Sequence, residues 1–468
     1  MSLIKFTIKV PNTYLLIFSL LVIIALMTWI IPGGKYERTL VDGREVVVQN
    51  SFRYVDSNPQ DLFDLFIAPL KGFKEAALII GFILFVGGAF NVLASTGAID
   101  AFIKRLLELH NKSKLMKSLF IPVLVLMFSF GGATFGMNEE IIPFVLILVP
   151  IALALGYDSI TGVAIPLIGA HIGFASAFLN PFNVGIAQGI AELPLFSGLE
   201  YRVFCWFLST TIGIIFITFY AKKIYKRPEL SPVYDLDLVR RANHIQDSSS
   251  INIPDFNWRR KLVLILFLVS LIFLVYGVIK LKWFIEEISA LFVIMGLLAG
   301  VIGGLRTDDI VKSFINGAKD LVGTAIIVAL ARATLVISRD ANIIDTILYG
   351  LTPFIESSNP VFSAQKMFIV QAIINFFVHS GSGQAALTMP IMAPLADLTG
   401  ISRQTAVLAF QLGEYTNIII PTSAVTMGAL TMAKVPWERW AKWVLPLMII
   451  LFILGFLLLI PPFLINYQ

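Results

Sequence analysis

Two polar, glycine-rich runs interrupt otherwise apolar sequence, and both carry residues able to do chemistry. The first reads Gly131-Gly132-Ala133-Thr134-Phe135-Gly136-Met137-Asn138-Glu139-Glu140, the second His379-Ser380-Gly381-Ser382-Gly383-Gln384. Glu139 and Glu140, with Glu414 well inside the apolar stretch that begins near Gln404, put carboxylates at membrane depth, where an ionisable group is costly and marks a site by default. Two or three negative charges at a pocket favour a cation: a basic amino acid, a proton or sodium. The competing reading places Glu139 and Glu140 at a wet tip or a helix end. Arg332, the one arginine midway along an apolar stretch, suits a carboxylate, which a guanidinium grips bidentately. A dicarboxylate and the α-carboxylate of an amino acid are served equally, and a buried ion pair with Glu139, Glu140 or Glu414 is the structural alternative.

The rest of the candidate site is uncharged. Ser380, Ser382 and Gln384 precede a helix whose N–H groups and positive dipole end suit a carboxylate, and Gly132, Thr134 and Asn138 occupy the corresponding first run. Asn180-Pro181-Phe182-Asn183 and Asn417 to Pro421-Thr422-Ser423 read as unwound stretches whose freed carbonyls can hold a cation. His379 adjoins the second run and can take a proton near neutral pH, whereas His171 reads as a core histidine. No phosphate-cradling loop, paired-histidine metal helix or nucleophile elbow is present. A hydrolase built on Ser382 would need a base that the sequence does not place, so the chain reads as no enzyme, with no cofactor, no certain metal site and a coupling ion, sodium or proton, at most. A channel is the third class, separated from a carrier by whether flux depends on a counter-substrate.

The elements that must position these residues are membrane spans. Hydrophobic residues make up 57% and charged residues 14%, against about 25% charged in soluble domains. Apolar stretches at 14–31, 77–97, 159–179, 201–221, 261–281, 286–304, 321–338, 404–432 and 443–465 are mostly long enough for a core of about 30 Å. The net charge of +5 therefore reflects loop residues that set orientation, and nucleic acid is not a partner. Cys205 can form no intramolecular disulfide, and Trp29, Trp283, Trp437, Trp440 and Trp443 read as an interfacial belt.

Non-helical backbone in a bilayer is tolerated only in protein or beside a wet cavity, and two breaks in matching halves point to a transporter's binding site. The halves match in sequence. Asp61, Phe66, Ile67, Lys71, Ala77 and Ile79 recur at constant spacing as Asp309, Phe314, Ile315, Lys319, Ala325 and Ile327, and Gly97 to Asp100 recurs loosely as Asn342 to Asp345. Gly156, Thr161, Val163 and Gly169 recur as Gly400, Thr405, Val407 and Gly413, and Pro181 and Pro194 as Pro421 and Pro436. Basic residues at Lys104 to Lys117, Lys222 to Lys261 and Lys434 to Lys442 belong in the cytoplasm, which puts the N-terminus inside and the C-terminus outside. With only residues 118–130 before Gly131, too few to cross, 118–155 reads as a hairpin opening inward, and 366–397 as one opening outward.

The organisation expected is an N-terminal span and outer loop (1–60), a first repeat (61–225), a solvated cytoplasmic linker with little order (226–260), scaffold spans (261–308) and a second repeat (309–468). Amphipathic stretches 61–74 and 309–320 precede each core as interfacial arms.

Ala329-Leu330-Ala331-Arg332-Ala333 continuing through Ile343-Ile344-Asp345-Thr346-Ile347-Leu348, together with Asn180-Pro181-Phe182-Asn183-Val184-Gly185-Ile186-Ala187 and Ser380-Gly381-Ser382-Gly383-Gln384, resembles the anaerobic C4-dicarboxylate carrier (DcuC-like) family. Within it the likeness is to the YfcC-like branch of basic amino-acid antiporters. The resemblance implies an all-α integral membrane protein of the ion-transporter superfamily fold, an inverted structural repeat in which two opposed re-entrant hairpins and unwound transmembrane helices meet at one site. It also implies an elevator motion and a homodimer in the cell inner membrane. Related branches carry dicarboxylates, amino acids or short-chain acids. The expected function is a secondary exchanger of basic amino acids such as arginine and ornithine, with a C4-dicarboxylate or other organic-anion carrier as the alternative.

Overall fold

The computed structural model describes residues 13–41, 44–48, 51–99, 101, 102, 105, 114–241, 256–281, 283, 285–355, 359–465 and 467. Asp100, Lys104, Lys112 and the Ser248-Ser249-Ser250 run lie outside them. The chain is nearly all helical. After α1 (Thr13–Met27) the expected outer loop forms two short antiparallel ribbons, β1 (Gly34–Lys35) with β4 (Arg53–Tyr54) and β2 (Arg38–Val41) with β3 (Arg44–Val47). The first half continues with α2 (Leu62–Glu75), α3 (Ala77–Ser95), α4 (Lys114–Phe135), α5 (Ile141–Ala154), α6 (Ser159–Ala175), a π turn at Pro181–Gly185, α7 (Ile186–Ile190) and α8 (Leu199–Lys226). The second half has α9 (Trp258–Tyr276), α10 (Ile285–Gly303), α11 (Thr307–Asp320), α12 (Val322–Asp340), α13 (Ile343–Ile355), α14 (Pro360–Phe377), α15 (Gly381–Leu398), α16 (Arg403–Gly413), a tight turn at Glu414–Ile418, α17 (Ala424–Met432) and α18 (Trp437–Leu458).

Among the described residues, seven helical segments are long and apolar enough to cross a membrane. One of them is 118–135, which corrects the expectation that this stretch stops at Gly131. Gly131 and Gly132 lie inside α4 because the glycines serve packing and do not break the helix. A Cβ on Gly132 would sit 2.2 Å from the Ala170 carbonyl oxygen, and one on Gly173 1.9 Å from that of Ser129. Small residues let backbones approach this closely where lipid gives helices no hydrophobic reason to associate. Thus α4 and α5 both lie on α6, and α14 and α15 both lie on α16.

The two halves lay out their first elements with equal lengths. Helices α2 and α11 span 14 residues each, α3 and α12 span 19 each, and Gly97 and Asn342, just beyond α3 and α12, both have positive φ. These boundaries set Leu62 against Thr307, so Asp61 stands opposite Arg306 and the Asp61/Asp309 sequence match is three residues out of register. Asp61 is the N-cap of α2, accepting from the Phe63 and Asp64 N–H groups while Asp64 reciprocates, a capping box. The amphipathic helices pack crosswise: α2 lies on α12 and α11 on α3. Gly72 and Gly317 make this possible, since a Cβ there would lie 2.4 Å from the Ala329 oxygen and 2.5 Å from the Gly87 oxygen respectively.

The expected linker begins with order. Residues 234–241 are helical and strap the ends of α6 and α18: Asp237 accepts from the Ser159 N–H (2.8 Å), Arg241 donates to the Tyr157 carbonyl (2.7 Å), and Arg439 donates to Asp235 (2.9 Å).

Candidate substrate site

The first break is shorter than the sequence suggested. α4 ends at Phe135, Gly136 turns with φ +77, and α5 starts at Ile141. A Cβ on Gly136 would lie 2.7 Å from Asn180 Oδ1, so only glycine lets this tip meet the unwound segment after α6. Asn180 shapes that segment, accepting from the Phe182 and Asn183 N–H groups and donating to the Gly132 carbonyl at 3.2 Å. Thr134 donates back into its own helix, to Phe130. The Asn138 N–H donates to Glu140 (2.8 Å); Glu140 is buried and Glu139 partly so. Among the described residues no hydrogen bond joins either glutamate to Glu414.

The second break spans only Val378-His379-Ser380. Gly381, Ser382, Gly383 and Gln384 already belong to α15, whose N-cap Ser380 accepts from the Gly383 N–H at 3.4 Å and lies 3.4 Å from the Ser382 hydroxyl. Here the elements converge. A Cβ on Gly381 would lie 3.0 Å from Glu414 Oε1 and 2.9 Å from the Phe174 ring. Asn183 Nδ2 donates to Glu414 Oε2 at 2.5 Å and to the Phe174 carbonyl at 3.2 Å. Gln384 donates to Gln371 (2.7 Å), and Asn375 donates to Thr416 (2.6 Å) and Asn417 (3.1 Å).

Among the described residues, five buried polar atoms in this region have no hydrogen-bond partner: Asn183 Oδ1, Asn375 Oδ1, Gln384 Oε1, Glu414 Oε1 and His379 Nδ1. Four are acceptor oxygens, one on a carboxylate. Buried acceptors without donors are costly to leave unmade, so this array is complementary to a group rich in N–H donors or to a cation. Gln371 and Asn375 were not singled out from sequence, although their four-residue spacing inside an apolar helix is the signal that marks a shared polar face.

Other expected residues do different work. Thr422 donates to the Phe376 carbonyl, and Ser423 caps α17 through the Thr426 N–H. Trp437 and Trp440 donate to the Ile419 and Ile418 carbonyls, at the C-terminal end of the turn; these indoles satisfy backbone that unwinding freed and so withhold those two carbonyls from a cation, and Trp440, fully buried within the protein, is no part of an interfacial belt. His171 donates to Leu167 as a core histidine.

Arg332 pairs with none of the three glutamates expected. Its Nε donates to Glu75 (3.3 Å), at the end of α2, and Glu75 also bridges to Arg339 (2.5 Å). Nor is it alone: Arg202 is fully buried, donating to Gln404 (3.0 Å) and to Gln411, with no ion pair among the described residues. Gln411 in turn donates to the Ala177 carbonyl (2.6 Å), tying α16 to the segment that follows α6. A cavity of about 750 Å³ near Tyr201 and Tyr467 holds none of the expected site residues.

Residues 10–463 match the family described as C4-dicarboxylate anaerobic carrier (DcuC). The chain is 37% identical, over 98% of its length and 97% of the relative's, to an Escherichia coli protein named "Putative basic amino acid antiporter YfcC". It is 28% identical, over 97% of both chains, to an uncharacterised protein of Haemophilus influenzae. The Alcanivorax borkumensis YdaH transporter structure aligns loosely, at 13% identity and a TM-score of 0.42 over 96% of this chain and 98% of that one. The chain belongs to the C4-dicarboxylate anaerobic carrier family and is a multi-pass membrane transporter.

Proposed function

We propose that the protein is a secondary exchanger of basic amino acids, arginine and ornithine among them. The observation that supports this reading best is the unpartnered Glu414 Oε1 amid three unpartnered amide oxygens. A guanidinium offers five N–H donors and a fixed positive charge, the complement of a buried carboxylate oxygen and of amide oxygens left without donors. The substrate's carboxylate would go to the Ser380 tip and to Arg332. A proton on His379 or Glu414, or sodium among the amide oxygens, is the candidate coupling ion. The similarity to a relative named as a basic amino-acid antiporter supports the same substrate class.

In this reading the halves form an inverted repeat in the inner membrane, N-terminus inside and C-terminus outside. The breaks at 136–140 and 378–380 are the tips of opposed hairpins, 118–155 and 366–397, and a homodimer carries the site across by an elevator motion. Glu139, Glu140, Asn138, Asn180, Asn183, Ser382, Gln384 and Asn417 complete the lining. The family description favours a second reading, a C4-dicarboxylate carrier that would use Arg332 and Arg202 for its two carboxylates.

Exchange in liposomes decides between them. Vesicles loaded with ornithine should take up labelled arginine, and empty vesicles should not. Uptake of labelled succinate with no arginine flux would establish the dicarboxylate reading.

A further inference from the structure

We infer that Glu75 is a built-in competitor for the substrate's carboxylate on Arg332, and so sets how tightly carboxylate-bearing substrates bind. This rests on the reading above, in which Arg332 receives that carboxylate. Arg332 sits midway along α12 and engages Glu75 through Nε alone; among the described residues its terminal nitrogens make no hydrogen bond. A carboxylate already lies against this guanidinium, yet the fork that would grip one bidentately is unused. Glu75 is divided, giving one oxygen to Arg332 at 3.3 Å and the other to Arg339 at 2.5 Å. Arg339 has a further acid in Asp340 at 3.5 Å, and Asp340 is also held by Lys71 at 2.7 Å. Glu75 is thus the shared acid of two arginines seven residues apart on one helix, and its shorter contact is to the one farther from the span's centre. A carboxylate arriving at Arg332 would displace the longer contact and leave Glu75 with Arg339.

The geometry yields two variants with opposite effects. Glu75→Gln removes the competitor, and arginine should bind the purified protein about tenfold more tightly, while agmatine, which lacks the carboxylate, should change little. Arg339→Gln leaves Glu75 to Arg332 alone, and arginine should bind several-fold more weakly, again with agmatine little changed. A general packing defect moves both ligands and both variants in the same direction. Loss or no change of arginine affinity in Glu75→Gln, with Arg339→Gln following it, overturns the inference. Arg332→Gln separates this from failure of the underlying reading. If that variant keeps wild-type affinity for both arginine and succinate, Arg332 binds no carboxylate and the reading itself falls. If it loses arginine while Glu75→Gln gains nothing, only the competitor role is refuted.

Discussion

Glu414→Gln tests the proposed site most directly. The two side chains have nearly the same shape, so the introduced amide can keep an oxygen toward Asn183 Nδ2, replacing a 2.5 Å bond to a carboxylate with a neutral one. Its nitrogen then takes the place of Glu414 Oε1, the atom that lies 3.0 Å from a Cβ on Gly381 and has no partner. The change removes the charge and adds donors among acceptors that otherwise wait for the substrate. A charge-assisted hydrogen bond contributes roughly 1.5–3 kcal/mol, so arginine should bind about ten- to a hundredfold more weakly. Citrulline, with a urea in place of the guanidinium, should change far less. Thermal stability should hold or rise, because a buried carboxylate with no counter-charge is a cost to the fold. Binding of both ligands and melting of the purified variant are the measurements. Wild-type affinity for arginine, or equal losses for arginine and citrulline, would refute the assignment of Glu414.

Gly136→Ala should abolish exchange, since a side chain at φ +77 costs about 1–2 kcal/mol and its Cβ would press on Asn180 at 2.7 Å; Gly383→Ala, whose nearest contact is 3.4 Å, should transport nearly normally, and the two rates decide the matter. Gly173→Ala should destabilise the protein by about 2–3 kcal/mol, visible in its melting temperature, because the obstructing Ser129 oxygen is backbone. The hydrogen bond from Arg439 holds the Asp235 carboxyl below the usual range. Its contribution is therefore present above the unfolded value and lost as pH falls through the lower folded one. Protease protection of 228–241 should weaken slightly in acid, and at all pH values in Arg439→Gln, the pair being mostly exposed. For topology, a cysteine at Asp56 should be labelled from outside and one at Glu229 only from inside; labelling of both from one face would reject the orientation.

The class, the family and the neighbourhoods in which the apolar helices break were legible in the residues, though not the bounds of either break, because membrane burial writes long apolar runs and caps write Asp, Ser and Asn at fixed places. Within the runs legibility falls. Gly132 and Gly136 look alike in sequence, yet one lets helices touch and the other turns the chain, and only the partner's position tells them apart. The same holds for Arg332, whose acid is Glu75 at the far end of another helix, and for Trp440, whose indole serves a carbonyl and not an interface. The Asp61/Asp309 match stands three residues off the helix boundaries, because shared apolar composition allows matches at several spacings. Gln371 and Asn375 went unnoticed because an uncharged amide in a helix gives a weak signal until its neighbours show an oxygen left without a donor.

The crosswise seating of α2 on α12 and α11 on α3 has a consequence for how the chain is made. Gly72 finds its seat at Ala329 and Ala333, which leave the ribosome more than two hundred residues later. At about 5–20 residues per second, the first amphipathic helix waits roughly ten to fifty seconds without its mate, apolar face uncovered. Neither half can be completed alone, so the two halves expressed as separate polypeptides should accumulate only together. A synthesis that stalls between residues 75 and 322 leaves a product fit for quality-control proteases.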